Sequence, residues 1–293
     1  MKRHPQTLIR ILTAVLMLAL ITMACATLNL PITQIKTGPT QTEEIQIPMP
    51  EESSTGVVLN LEFIAGDLKL SPGNTENLVS GKATYNVADF KPVVVASGSP
   101  YSLSSGDLEM KGIPKFQGDF INEWDLQIAK TPLSLNIKAG AYNGTFEFGG
   151  LSLENLSIEE GGSDVTCTFS EPNQAEMASF KYSTGASKAN LTGMANANFE
   201  QMNFSSGAGD YTLSFDGDLQ RDAKVKIDSG LGNMTIIVPK GVNAQVTLEG
   251  GLSTANAEGG WVQDGKVYTL SGSGANITIA LTMGAGTVNL KTE

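Results

Sequence analysis

From Leu135 to Leu290 the chain repeats one pattern of apolar and polar positions. An apolar residue, any residue and another apolar residue precede a glycine by two places, and mostly apolar residues follow at the fourth and sixth positions after it. The copies are LNIKAGAYNGTF (Leu135–Phe146), LSIEEGGSDVTC (Leu156–Cys167), FKYSTGASKANL (Phe180–Leu191), MNFSSGAGDYTL (Met202–Leu213) and VKIDSGLGNMTI (Val225–Ile236). Two looser copies are VTLEGGLSTANA (Val246–Ala257) and ITIALTMGAGTVNL (Ile277–Leu290). Their glycines, Gly140, Gly161, Gly185, Gly207, Gly230, Gly251 and Gly284, are spaced by 21, 24, 22, 23, 21 and 33 residues. Period-two alternation on both sides of each glycine predicts strands and excludes helices. A unit of this length cannot bury its own apolar face, so it must stack on its neighbours.

Stacking in register aligns Ile137, Ile158, Tyr182, Phe204, Ile227 and Leu248 in one inward column. A second holds Phe146, Cys167, Leu191, Leu213, Ile236, Ala257 and Leu290. Each large member contributes roughly 1.5–3 kcal/mol by leaving water. The glycine between the two strands is expected to supply a corner with positive φ. The fold expected is all-β: a single-stranded parallel β-helix, or solenoid, over 121–293. A twisted antiparallel β meander satisfies the same alternation and is the alternative.

Upstream, Val57–Phe63 alternates, Gly66-Asp67 turns into Leu68–Leu70, and strand-like runs follow at Leu78–Tyr85, Val93–Ala96 and Ile121–Ile128. Residues 57–120 are expected to form an antiparallel β lid, because an open solenoid end exposes strand edges. Near the other end, Asp264-Gly265 between short apolar runs predicts a hairpin over 261–268, expected to be a cap or else a functional protrusion.

The start of the chain reads differently. Lys2, Arg3 and Arg10 precede an uncharged run, Ile11–Ala24, in the layout of an export signal over 1–25. Ala24-Cys25 resembles the bacterial lipoprotein signal, in which the cysteine becomes the lipidated first residue; Thr22 departs from the usual leucine. Ala24-Cys25-Ala26 also suits ordinary signal cleavage and plain secretion. Residues 26–56 contain four prolines among Thr, Gln and Glu and are expected to be a disordered tether.

Composition narrows the chemistry. Glycine supplies 32 of 293 residues, which suits tight stacking of rungs. His4 is the only histidine and lies in the signal, so histidine-dependent triads and His-bearing zinc sites are excluded from the mature chain. Arg221 is the only arginine beyond the signal. Without residues 1–24 the chain carries 16 basic and 30 acidic residues, a net charge of about −14 that disfavours nucleic acid as a partner. Cys167 falls in an inward column and reads as packing. Asp164 and Asp210 occupy the same place in their repeats, three residues after the glycine. They are the candidates for a calcium or glycan site, or for an acid pair in a carbohydrate-active enzyme. Asx residues at a turn also explain the row structurally. Glu159 and Glu160 face opposite sides of a strand.

The segment INEWDLQIAKTPLSLNIKAGAYNGTFEFGGLSLENLSIEEGG, Ile121–Gly162, resembles the bacterial toast-rack domain in its Asn-Glu-Trp-Asp-Leu run, Pro-x-x-Leu-x-Leu and Gly-Ala-Gly repeats. The ending resembles it as well, in Asp-Gly-x-Val-Tyr at Asp264–Tyr268 and the strand Gly284–Leu290. The resemblance implies an adhesin-like envelope module related to the LiaF type of envelope-stress protein. It carries over the module without the several membrane spans of such proteins. The function expected is a non-catalytic, lipid-anchored envelope module for binding or scaffolding, with a membrane and an envelope protein or glycan as partners. No cofactor, metal or catalytic residue is expected.

Overall fold

The computed structural model describes residues 32–50, 56–73, 76–106 and 113–293. The export signal and Cys25 lie outside them. In chain order the strands are β1 (Ile32–Lys36), β2 (Gln41–Pro48), β3 (Val58–Pro72), β4 (Asn77–Tyr85), β5 (Pro92–Val95), β6 (Tyr101–Ser105), β7 (Ile113–Gln117) and β8 (Asn122–Ile128). The repeats follow as β9 (Pro132–Glu147), β10 (Ser152–Thr168), β11 (Met177–Thr192), β12 (Phe199–Ser214), β13 (Ala223–Val238) and β14 (Asn243–Ala257). A hairpin of β15 (Val262–Asp264) and β16 (Val267–Leu270) leads into β17 (Asn276–Thr292). A single 3-10 turn, Ala88–Phe90, is the only helical element among the described residues.

The chain divides into two units. In the smaller, β1 and β7 pair in parallel, with Gln117 Nε2 donating to Gln34 Oε1 at 2.6 Å. The larger unit, Thr37–Leu108 with Phe120–Glu293, holds one continuous sheet.

Within that sheet the repeats pair in parallel and in register, which establishes the solenoid-type fold and excludes the antiparallel meander. Each repeat is one long strand. Inward parity switches across its glycine: Leu133, Leu135 and Ile137 are buried before Gly140, and Tyr142, Gly144 and Phe146 after it. The first column runs Leu61, Ile137, Ile158, Tyr182, Phe204, Ile227, Leu281 and Leu248, every member buried. In the second, Leu70, Phe146, Cys167, Leu191, Leu213, Ile236 and Leu290 are buried. Ala257, assigned to that column, is exposed because β14 has no strand beyond its second half.

Three details depart from expectation. The strands do not stack in chain order: β17 pairs with β13 on one side and β14 on the other. The final segment is thus inserted between the two preceding repeats, and the β15–β16 hairpin pairs antiparallel along the first half of β14. Second, the region assigned to an antiparallel lid is mixed. β3 is a parallel rung in register with β9, while β2, β4 and β8 form the antiparallel part. Gln41–Pro48, placed in the disordered tether, is the strand that ends this part of the sheet; Ile45 and Ile47 alternate inward and are buried.

The third concerns the repeat glycines. Gly140, Gly185, Gly207, Gly230 and Gly284 are not in the positive-φ region. They are required by close stacking: an added Cβ on Gly185 would lie 2.5 Å from the carbonyl oxygen of Gly161, and one on Gly230 would lie 2.4 Å from that of Gly207. Positive φ occurs two residues later, at Gly209, Gly232 and Gly286.

The short segments closing each rung are held by side chains. Asn173, 2% exposed, accepts from Leu153 N and donates to Leu153 O, both at 2.8 Å, in place of a backbone ladder. Asn196 does the same between Phe169 O and Asp218 N. Buried backbone groups are thereby satisfied where strands end.

Candidate functional site

Three residues after the repeat glycines, and at the paired Asp67 of β3, the rungs present one outward row. Asp67, Asn143, Asp164, Lys188, Asp210, Asn233 and Thr287 are consecutive partners across the sheet. Asp164 and Asp210 therefore share a row as expected, but they are two strands apart, roughly 9–10 Å between backbones. Lys188 stands between them, its Nζ 3.9 Å from Asp164 Oδ2. Asp210 Oδ1 accepts from Asn233 Nδ2 at 2.6 Å, and Asp67 Oδ1 from Asn143 Nδ2 at 2.8 Å. An ammonium between two exposed carboxylates neutralises the position a calcium ion would take. Among the described residues no three acidic, histidine or cysteine side chains converge as a metal-binding group. The open groove along this row, about 460 Å³, is lined by Asp164, Lys188, Asp210, Asn233 and neighbouring threonines.

Beside this row runs a second outward row, Lys69, Thr145, Thr166, Asn190, Thr212, Thr235, Asn289 and Asn256. Together they make a hydroxyl- and amide-rich face on which hydrogen-bonding groups recur at the inter-strand spacing of about 4.8 Å. The other half of each rung carries more charge outward, including the ion pairs Lys181–Glu159 and Lys226–Asp228. Such exposed pairs add little stability.

Inside the corner lies a group whose setting sequence parity did not convey. Glu160 faces inward, buried at 9% exposure, and accepts from Tyr142 Oη at 2.6 Å, Ser163 Oγ at 2.6 Å and Tyr182 Oη at 2.8 Å. Its neighbour Glu159 faces outward to Lys181. Burial, then the Glu160 carboxylate, holds both tyrosine hydroxyls well above their usual range. Three donors compensate a buried acid. The donors come from three different places along the chain, so no local motif signals the cluster.

Cys167 is fully buried and free, and burial, followed by the charges of Glu147 and Glu160, pushes its thiol up, away from the reactive thiolate. It packs in the interior, as its column implied.

A further groove, about 450 Å³, lies where the corner meets the start of β8. Asp67, Asn122, Glu123, Asn143, Ser163 and Asp164 are among its lining residues. Asn122 borders it from the buried face of β8, at 1% exposure. Its Nδ2 donates to Ala65 O at 2.6 Å, and its Oδ1 has no hydrogen-bond partner among the described residues.

No helix among the described residues is long and apolar enough to cross a membrane. A search of curated proteins returned no match. Among solved structures, a candidate cell-adhesion protein from Clostridium sporogenes shares 19% identity at a TM-score of 0.47, covering 87% of this chain and 100% of its own. A candidate adhesin from Parabacteroides merdae shares 10% at a TM-score of 0.35, covering 88% and 98%. A candidate lipid-binding protein from Parabacteroides distasonis shares 11% at 0.36, covering 88% and 99%. The family model of the N-terminal domain of toast-rack, DUF2154, matches residues 36–181 and 172–237. With the repeat, the in-register rungs and this match over more than half of its length, the chain belongs to the toast-rack family.

Proposed function

We propose that this protein is a non-catalytic binding or scaffold module of the bacterial envelope, exported and held to the cell membrane or surface by a lipid on Cys25. The observation that carries the binding role is the outward face of the repeat corner. Its rows, Asp67 to Thr287 and Lys69 to Asn256, present hydrogen-bonding side chains in register from one rung to the next. A regular array of this kind, built on paired strands, suits a long partner such as an envelope protein or glycan. Asp164 and Asp210 are tied to Lys188 and Asn233 on that face and are not enclosed around a substrate, unlike the paired carboxyls of a glycosidase. The family resemblance supports an envelope location and is the whole support for a stress-related role.

Two measurements test this. A panel of envelope and plant polysaccharides incubated with the protein should show no hydrolysis; cleavage lost in Asp164→Asn or Asp210→Asn would establish the carbohydrate-active enzyme instead. Mass spectrometry of detergent-extracted protein should show acyl groups on Cys25. An unmodified N-terminus at Thr27 would rule the anchor out.

A further inference from the structure

We infer that the exposed face of the β1–β7 ribbon is a docking surface for an anionic lipid bilayer. The inference names the face that meets the membrane and rests on the anchor proposed for Cys25.

The ribbon has two faces of opposite character. Ile35 is buried at 5% exposure, while Gln34, Lys36, Lys115 and Gln117 are exposed. Parallel pairing sets Gln34 opposite Lys115 and Lys36 opposite Gln117, so these four side chains share one face, the one turned away from Ile35. That face carries two ammonium groups and two amides. Neither strand contains an acid.

The rest of the protein is built the other way. Within the larger unit, 13 basic residues stand against 28 acidic ones, and Lys69, Lys82, Lys91, Lys181, Lys188 and Lys226 each pair with a carboxylate. Among the described residues no ion pair joins Lys36 or Lys115 to an acid. In so acidic a chain, two neighbouring lysines left without a carboxylate point to an anion from outside.

Chain length identifies that anion. Lys36 is the first charged residue after Cys25, and Ile32 follows Cys25 by seven residues. Seven residues span at most ~25 Å whatever their conformation, so a lipid on Cys25 keeps the ribbon beside the headgroups. The two lysines are spread along a face and do not converge on a point, which suits a planar charged surface better than a single small anion. Each lysine near such a surface favours contact roughly fivefold. Charges beyond about 8–10 Å are screened at physiological salt, so the charge of this face governs the contact more than the net charge of the chain.

The test couples the full mature chain, Cys25–Glu293, through Cys25 to a maleimide lipid in vesicles; Cys167 is buried and does not compete. This tether is present whether or not cells acylate Cys25, so the docking face and the natural anchor fail separately. The reaction of each lysine with an amine-acylating reagent is read by peptide mass spectrometry. In vesicles of equal parts phosphatidylcholine and phosphatidylglycerol, Lys36 and Lys115 should react at least about threefold more slowly than in phosphatidylcholine alone, with Lys82 and Lys226 unchanged. Protection should vanish at about 1 M salt, where the screening length falls to about 3 Å. It should vanish as well in Lys36→Glu, read at Lys115, and in Lys115→Glu, read at Lys36. Equal reactivity in the two kinds of vesicle overturns the inference, as does protection that survives salt or both substitutions, or that covers Lys82 and Lys226 equally.

Discussion

The early and late rungs close the same corner by different means. In β9 to β11 it is filled by side chains: Tyr142, Ser163 and Tyr182 converge on Glu160, and Thr184 Oγ1 bonds Ser187 Oγ at 2.8 Å. In β12, β13 and β17 the positions equivalent to Tyr142 and Ser163 are Gly209, Gly232 and Gly286, and backbone approaches backbone instead. The interior changes alongside. Tyr142, Phe146, Phe148, Phe169, Phe180 and Phe199 form a chain of ring contacts at 5.6–6.3 Å that reaches the start of β12, whereas Ile227, Ile236, Ile279, Val288 and Leu290 fill β13 and β17. One backbone repeat therefore tolerates either a polar network or its absence. What it does not tolerate is a Cβ where the rungs touch.

The largest expected effect tests the later half. In Gly232→Ala the new Cβ would lie 1.8 Å from Gly209 O at φ +140°, and a loss above ~4 kcal/mol, or failure to fold, should appear in denaturant unfolding. A mild effect there would break the contrast. Next is Glu160→Ala, which strands two tyrosine hydroxyls and Ser163 in the early half; a loss of about 2–4 kcal/mol is expected by the same measurement.

Alkali should sharpen the comparison with a smaller effect. Burial beside Glu160 holds Tyr142 and Tyr182 well above the ordinary tyrosine value of about 10 in the folded protein, while the unfolded chain loses those protons near that value. Their contribution is thus fully present below pH ~10 and is lost as pH rises through the folded values. The melting temperature should fall above pH 10, and less steeply in Tyr182→Phe. The smallest effect belongs to the outer face. Lys188→Ala, which removes a loose ion pair exposed on both sides, should change stability by under ~0.5 kcal/mol.

Candidate chemistry was only partly legible along the chain. The shared row of Asp164 and Asp210 followed from equal spacing to their glycines, yet Lys188 between them turns an apparent acid pair into a mixed-charge row. Alternation set Glu159 and Glu160 on opposite faces, but the two tyrosines that bond Glu160 lie 18 and 22 residues away on neighbouring rungs. Asn122 looked like any alternating position of a strand. That its oxygen lacks a donor depends on Ala65 and Gly66, brought alongside by pairing of β3 with β8.

The sequence alone determined the strand character, the repeat, the two inward columns and the need for glycine at each corner, because alternation and steric size act within a few residues. Tertiary structure decided which strands touch. It inserted β17 between β13 and β14, made β3 a rung and Gln41–Pro48 a strand, and replaced positive φ by rung-to-rung contact as the reason for the repeat glycines. Any apolar, alternating strand edge can pair with any other in register. The choice among them is made by the closure of the whole chain, which no local pattern encodes.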